Sequence, residues 1–150
     1  MKTLYFDING TLTFQYTCKP ALAGGAFERE LRAARFDRLV CVSNFQKHIA
    51  FLEEMGKKPD ALAILFDACF GAFADPAWFR QVTSMVADSD RRAHSIAFSE
   101  DWWYVDDNAR EYCAAVGLSN LFDLHRGTRI LCPRSDSDGS EILEWLRATP

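Results

Sequence analysis

The sequence predicts an α/β fold, a doubly wound parallel sheet in three layers with helices on both faces. Two observations predict it. Short apolar runs alternate with helical patterns along the chain, and two of those runs, Leu39 to Val42 and Trp102 to Val105, are continuously apolar or aromatic. Unbroken runs of that kind suit strands whose two faces are both covered. The length of 150 residues fits a single domain spanning 1–150, and no linker, repeat or low-complexity tract divides it.

The elements follow in order. Lys2 to Phe6 reads as a buried strand, ended by Asp7 and the turn pair Asn9-Gly10. Gly24-Gly25 precedes a helix over Ala26 to Phe36, with Phe27, Leu31 and Ala34 at helical spacing. Leu39 to Val42 is the second strand. Ser43-Asn44 then caps a helix over Phe45 to Met55, closed by Gly56. Ala63 to Phe70 is a candidate third strand. Asp75-Pro76 opens a helix predicted to run to Val86, with the proline in its first turn. Trp102 to Val105 is the next strand and ends in Asp106-Asp107, and Ala109 to Val116 is a helix closed by Gly117. Leu121 to Leu124 and Arg129 to Leu131 are short strand candidates, and Ser140 to Ala148 is the closing helix.

Composition narrows the function classes. The hydrophobic share of 49% and charged share of 25% are those of a soluble globular chain. A formal net charge of -4 argues against a nucleic-acid binder that relies on a broad basic field. The basic pairs Lys57-Lys58 and Arg91-Arg92 read as solvated surface. Cys18, Cys41, Cys69, Cys113 and Cys132 are scattered singly, without zinc or disulfide spacing. With an early acid at Asp7 and no long uncharged run, neither a signal peptide nor a membrane span is expected, and the expected location is cytoplasmic.

Three strand ends carry polar groups: Asp7, Ser43-Asn44 and Asp106-Asp107. In a parallel sheet these ends share one edge, where such folds bind ligands. Crowded carboxylates repel unless a cation lies between them, and a hard ion such as Mg²⁺ prefers oxygen donors. A hydroxyl and helix-start N–H groups can hold phosphate oxygens. Each residue taken singly has a plainer reading. Asp7 could close a turn, Ser43 could only cap a helix, and Asp106-Asp107 could answer a helix dipole.

Taken together the motifs resemble those of the haloacid-dehalogenase-like (HAD) superfamily. Asp7-Ile8-Asn9-Gly10-Thr11-Leu12 after an apolar strand is similar to its first signature, Leu39 to Asn44 to the second, and Tyr104-Val105-Asp106-Asp107-Asn108 to the fourth. The likeness spans roughly residues 1 to 125 and implies a Rossmann-like HAD core. It further implies that Asp7 is the nucleophile taking up a phosphoryl group and that Asp7, the Asn9 backbone carbonyl, Asp106 and Asp107 hold Mg²⁺. Ser43, Asn44 and Thr11 match the phosphate-binding positions, with Thr11 also orienting the loop. The implied partner is a phosphorylated small molecule or a phosphoprotein, and a homo-oligomer is allowed.

Two departures bear on activity. The acid two residues after the nucleophile is replaced by Asn9, an amide that donates hydrogen bonds but shuttles no proton. General acid–base help is worth ~10²–10⁴-fold, so esters with poor leaving groups would suffer most and acyl or aryl phosphates least. The expected third-signature lysine is also missing from the run Ala72 to Phe79. Lys58 is the first candidate to replace it, ahead of Arg80, Arg91 and Arg92. With about 35 residues between Asp7 and Ser43, no large cap is expected, which disfavours dehalogenation. Two readings stay open: an Mg²⁺-dependent phosphohydrolase or phosphotransferase weakened or specialised by loss of the acid, and an inactive homologue that binds a phospholigand or a protein partner.

Overall fold

The first strand, β1 (Lys2–Phe6), lies in the middle of a parallel sheet and is flanked on both sides. In the computed structural model of the chain, the described residues are 1–7, 11, 25–43, 54–56, 76–85, 91–134 and 139–150. Along them β1 is followed by α1 (Ala26–Ala33), β2 (Arg38–Cys41), α2 (Pro76–Val82), β3 (Thr83–Met85) and a 3-10 turn over Arg92–Ser95. β4 (Asp101–Val105), α3 (Ala109–Ala115), α4 (Ser119–His125), β5 (Ile130–Leu131) and α5 (Ser140–Ala148) complete the order.

The strands lie in the order β3-β2-β1-β4-β5, every pairing parallel. The chain thus works outward from β1 to β3 and then returns to the other side of β1 with β4. Register sets the carboxyl ends level: Phe6 pairs with both Cys41 and Val105, and Val105 with Leu131. The ladder runs one residue further on each side, because Asp7 N–H donates to Val105 O at 3.0 Å and Val42 N–H to Phe6 O at 2.9 Å.

Side-chain alternation divides the core between the two faces of the sheet. Leu4 and Phe6 of β1 point to one face, packed with Phe27 and Leu31 of α1 and Trp145 and Leu146 of α5. Tyr5 points to the other, with Val40, Tyr104, Cys113 of α3 and Phe122 of α4. Phe6, Phe27, Phe122 and Tyr104 are among the largest fully buried side chains. Burying such a side chain contributes roughly 1.5–3 kcal/mol each.

Several expectations hold to within a residue or two. β1 and α5 have the expected bounds, and β2, β4 and α3 are displaced by one residue. Gly56 takes the left-handed φ of 74° suited to a helix end. α1 ends at Ala33 instead of Phe36, because Arg35 turns out of the helix with φ 56°.

Two expectations are corrected. The helix opening at Pro76 ends at Val82, and Thr83–Met85 forms a strand hydrogen-bonded along Leu39–Cys41 of β2. Tertiary pairing there overrides the helical reading of a β-branched pair, Val82-Thr83. Leu121 to Leu124 belongs to helix α4, not to a strand. Phe122 N–H donates to Leu118 O and Arg126 N–H to Phe122 O, the four-residue spacing of a helix. The candidate strand at Ala63 to Phe70 and most of the candidate helix at Phe45 to Met55 lie outside the described residues. No helix among the described residues is long and apolar enough to cross a membrane.

Candidate functional site

Asp7 and Asp106 are each the first residue beyond a strand, on the two strands that flank the reversal in strand order. Both are buried. Their backbones are fixed by the extended ladder, Asp7 N–H on Val105 O and Asp106 N–H on Leu131 O at 3.1 Å. Asp107 follows half-buried, so three carboxyl groups offer oxygens that all lie within 4.8 Å of one another.

Thr11 ties two of the acids together. Its hydroxyl lies 3.3 Å from Asp7 Oδ2 and 3.3 Å from Asp107 Oδ1, and it accepts the Asp107 N–H at 2.9 Å. Through these contacts Thr11 holds the acid after β1 against the second acid after β4. Ser43 is buried directly beyond β2, next to Val42, whose carbonyl faces the same cluster.

The cation of the site is Arg92. It was expected to be solvated surface and is instead 3% exposed, its Nη1 donating to Asp7 Oδ1 at 2.9 Å, Asp106 Oδ2 at 3.1 Å and Val42 O at 3.0 Å. Arg91, its neighbour, is exposed as expected. The 3-10 turn over Arg92–Ser95, packed through the buried Ala93 and Ile96, directs this one side chain to the carboxyl edge of the sheet. Nothing in the local sequence marks Arg92. The available signal was its place between the strands of the second and fourth motifs, where a charge balance for Asp7 is needed.

Asp106 is held on both oxygens. Oδ1 accepts the Asn108 N–H at 2.9 Å, and Oδ2 accepts both Arg92 and the Tyr104 hydroxyl, the latter at 2.8 Å. Burial pushes the Asp106 carboxyl up to about 7, against the lowering pull of Arg92, Asn108 N–H and Tyr104. Burial also raises Asp107, opposed by hydrogen bonds with Thr11 and Asp7. Tyr104 is held well above the ordinary phenol range, by burial first and by Asp106 second. Among the described residues, the Arg92 guanidinium bonds two of these three clustered carboxyl groups. Hard oxygen donors in that arrangement suit a divalent cation such as Mg²⁺.

Asn9, Asn44 and Lys58, the remaining candidates from the sequence, lie outside the described residues, as does Cys18. A separate cleft of about 380 Å³, lined by Trp103, His125, Arg129 and Trp145 among others, shares no residue with the carboxyl cluster. Its polar groups are already engaged, Trp145 Nε1 with Thr128 O and Arg129 with Asp101 and Trp102 O.

Comparison of the chain with protein-family models, curated proteins and solved structures finds no match.

Proposed function

We propose that the chain is an HAD-like, Mg²⁺-dependent phosphohydrolase or phosphotransferase with Asp7 as nucleophile, acting on phosphate esters or anhydrides whose leaving group needs no proton. The observation that carries the reading is the buried bridge from Arg92 to Asp7 and Asp106. A fixed cation against the proposed nucleophile is one of the two parts whose absence from the motifs kept the inactive reading open. Among the described residues that cation is Arg92, one of the basic residues the sequence offers behind Lys58.

The strand order and all-parallel pairing agree with the Rossmann-like HAD core. Asp7, Asp107 and Asp106 are the residues that would hold Mg²⁺, with the Asn9 carbonyl assigned by resemblance alone. Bound Mg²⁺ offsets negative charge around the reacting phosphoryl group. In the proposed step an oxygen of Asp7 attacks phosphorus, the bond to the leaving oxygen breaks with its electron pair, and an aspartyl phosphate results. Arg92 stabilises the Asp7 carboxylate and the phosphoryl charge, and it cannot lose its proton at physiological pH. Ser43, Asn44 and Thr11 would hold the phosphoryl oxygens, a role assigned by resemblance alone. Water or an acceptor hydroxyl then releases the phosphate.

With Asn9 at the acid position, acetyl phosphate and p-nitrophenyl phosphate are the substrates to try first. Phosphoserine and phosphothreonine, whose alkoxide leaving groups need a proton, fit this chemistry less directly than an acyl or aryl phosphate.

The test is hydrolysis of both compounds, and of an alkyl phosphate ester for comparison, with and without Mg²⁺ by the native chain, Asn9→Asp and Asp7→Ala. Native turnover that requires Mg²⁺ and disappears in Asp7→Ala is expected, with a gain of ~10²-fold or more in Asn9→Asp on unactivated esters. A native chain and an Asn9→Asp variant that both bind phosphate and turn nothing over would instead establish a phospholigand-binding protein.

A further inference from the structure

Arginine at this position poses a geometric problem. A lysine presents a compact point charge, whereas a guanidinium is a broad plane that must be held edge-on and face-on to aim one nitrogen at a carboxylate. The site answers on both counts with tyrosines, Tyr104 at the start of the fourth-motif run and Tyr112 beyond it.

Tyr104 sits two residues before Asp106 on β4, so both side chains leave the same face of the sheet. Its hydroxyl donates to Asp106 Oδ2, the oxygen that also accepts Arg92 Nη1. That shared oxygen cannot swing away from the guanidinium without breaking a buried hydrogen bond. Tyr112 of α3 lies under the other dimension: the Arg92 guanidinium carbon is 3.9 Å from the centre of its ring. Tyr104 fixes the edge and Tyr112 fixes the face.

We propose that Tyr104 and Tyr112 are positioning residues that hold the Arg92 guanidinium against Asp7, and that this pair is what allows an arginine to serve where a lysine is expected. The inference rests on the phosphoryl-transfer reading of the site. Neither tyrosine touches the reacting atoms; both act through Arg92. A desolvated cation–π contact and a buried charge-assisted hydrogen bond are each worth roughly tenfold in an equilibrium or rate.

The experiment is a double-mutant cycle read twice, by kcat/KM on acetyl phosphate and by affinity for inorganic phosphate in the presence of Mg²⁺, which needs no turnover. The chains are native, Tyr112→Phe, Tyr112→Leu, Tyr104→Phe, Arg92→Lys and the Arg92→Lys/Tyr112→Leu pair. Tyr112→Phe keeps the ring and is expected to stay within about twofold of native. Tyr112→Leu and Tyr104→Phe are each expected to lose about tenfold in phosphate affinity and at least tenfold in kcat/KM. In the Arg92→Lys background, where a compact ammonium offers no plane to stack, Tyr112→Leu should cost clearly less than it does in the native background. Equal losses from Tyr112→Leu in both backgrounds would overturn the proposal, since they would mark Tyr112 as general packing. Absence of phosphate binding by the native chain would overturn it too. Native turnover reports separately on the enzyme reading: a chain that binds phosphate with the expected coupling but hydrolyses nothing keeps this inference and loses that one.

Discussion

Arg92 bridges two acids that the sequence places 85 and 14 residues away, and its removal tests how far the cluster depends on it. Breaking a buried ion pair by deleting one partner leaves uncompensated charge and typically costs about 3–5 kcal/mol. The pH dependence follows from Asp106, which burial raises from an ordinary value near 3.8 to about 7. In that window the folded chain holds a proton that the unfolded chain has released. Stability from this group is therefore present below about pH 4 and lost as pH climbs through about 7. Arg92 lowers the Asp106 value, so without it the loss extends to higher pH. Urea unfolding of metal-free Arg92→Ala should show a larger deficit against native at pH 8 than at pH 5, and an equal deficit at both would contradict this account. The acids were legible in the sequence because each ends an apolar run. Arg92 was not, because an Arg-Arg pair beside Asp-Ser-Asp looks like any solvated turn, and only the fold brings one of the two inward.

At the scale of elements, the misread ones are short and the well-read ones are long or bounded by clear punctuation. α5 was legible from Ser140 to Ala148 because Ile142, Leu143 and Leu146 recur at helical spacing; the structure buries Ile142 and Leu146 together with Trp145 and leaves Leu143 partly buried. Four residues such as Leu121 to Leu124 cannot carry a period, and an apolar run of that length suits either state. The two readings differ in what they bury. In a strand, Phe122 and Leu124 share one face; in a helix they point in nearly opposite directions. Phe122 is 2% exposed and Leu124 is 75% exposed, as the helix requires. Phe122→Ala is thus expected to cost about 3–5 kcal/mol. Leu124→Ala should stay within about 0.5 kcal/mol. Comparable losses in urea melts of the two variants would restore the strand. β3 was misread for a different reason: Thr83–Met85 gains its pairing from β2, more than forty residues back, and no local pattern announces it.

For the whole molecule, the candidate site exists only when the chain is folded. Asp7 closes β1, Asp106-Asp107 close β4, and the parallel register of Phe6 with Val105 brings them together across about a hundred residues. A divalent cation that uses all three acids must then bind the folded state far better than the unfolded one and stabilise it by mass action. At a Mg²⁺ concentration about a hundredfold above its Kd, the gain is about 2.7 kcal/mol. For a domain of this size that corresponds to a rise in Tm of roughly 5–10 °C. Two controls give the rise its meaning. Asp107→Asn keeps the shape of the half-buried side chain and removes its charge, so the Mg²⁺-dependent rise should shrink severalfold. Lowering the pH from 8 to 6 protonates Asp106, raised to about 7 by burial, and should weaken the effect in the native chain because a proton and the cation compete for the same negative charge. Thermal melts with Mg²⁺, with Ca²⁺ and with chelator at both pH values decide the matter. A Tm that rises equally in native and Asp107→Asn, or equally at pH 6 and pH 8, would mean that the cation acts elsewhere on the surface and that the three acids are held by Arg92 and shared protons alone.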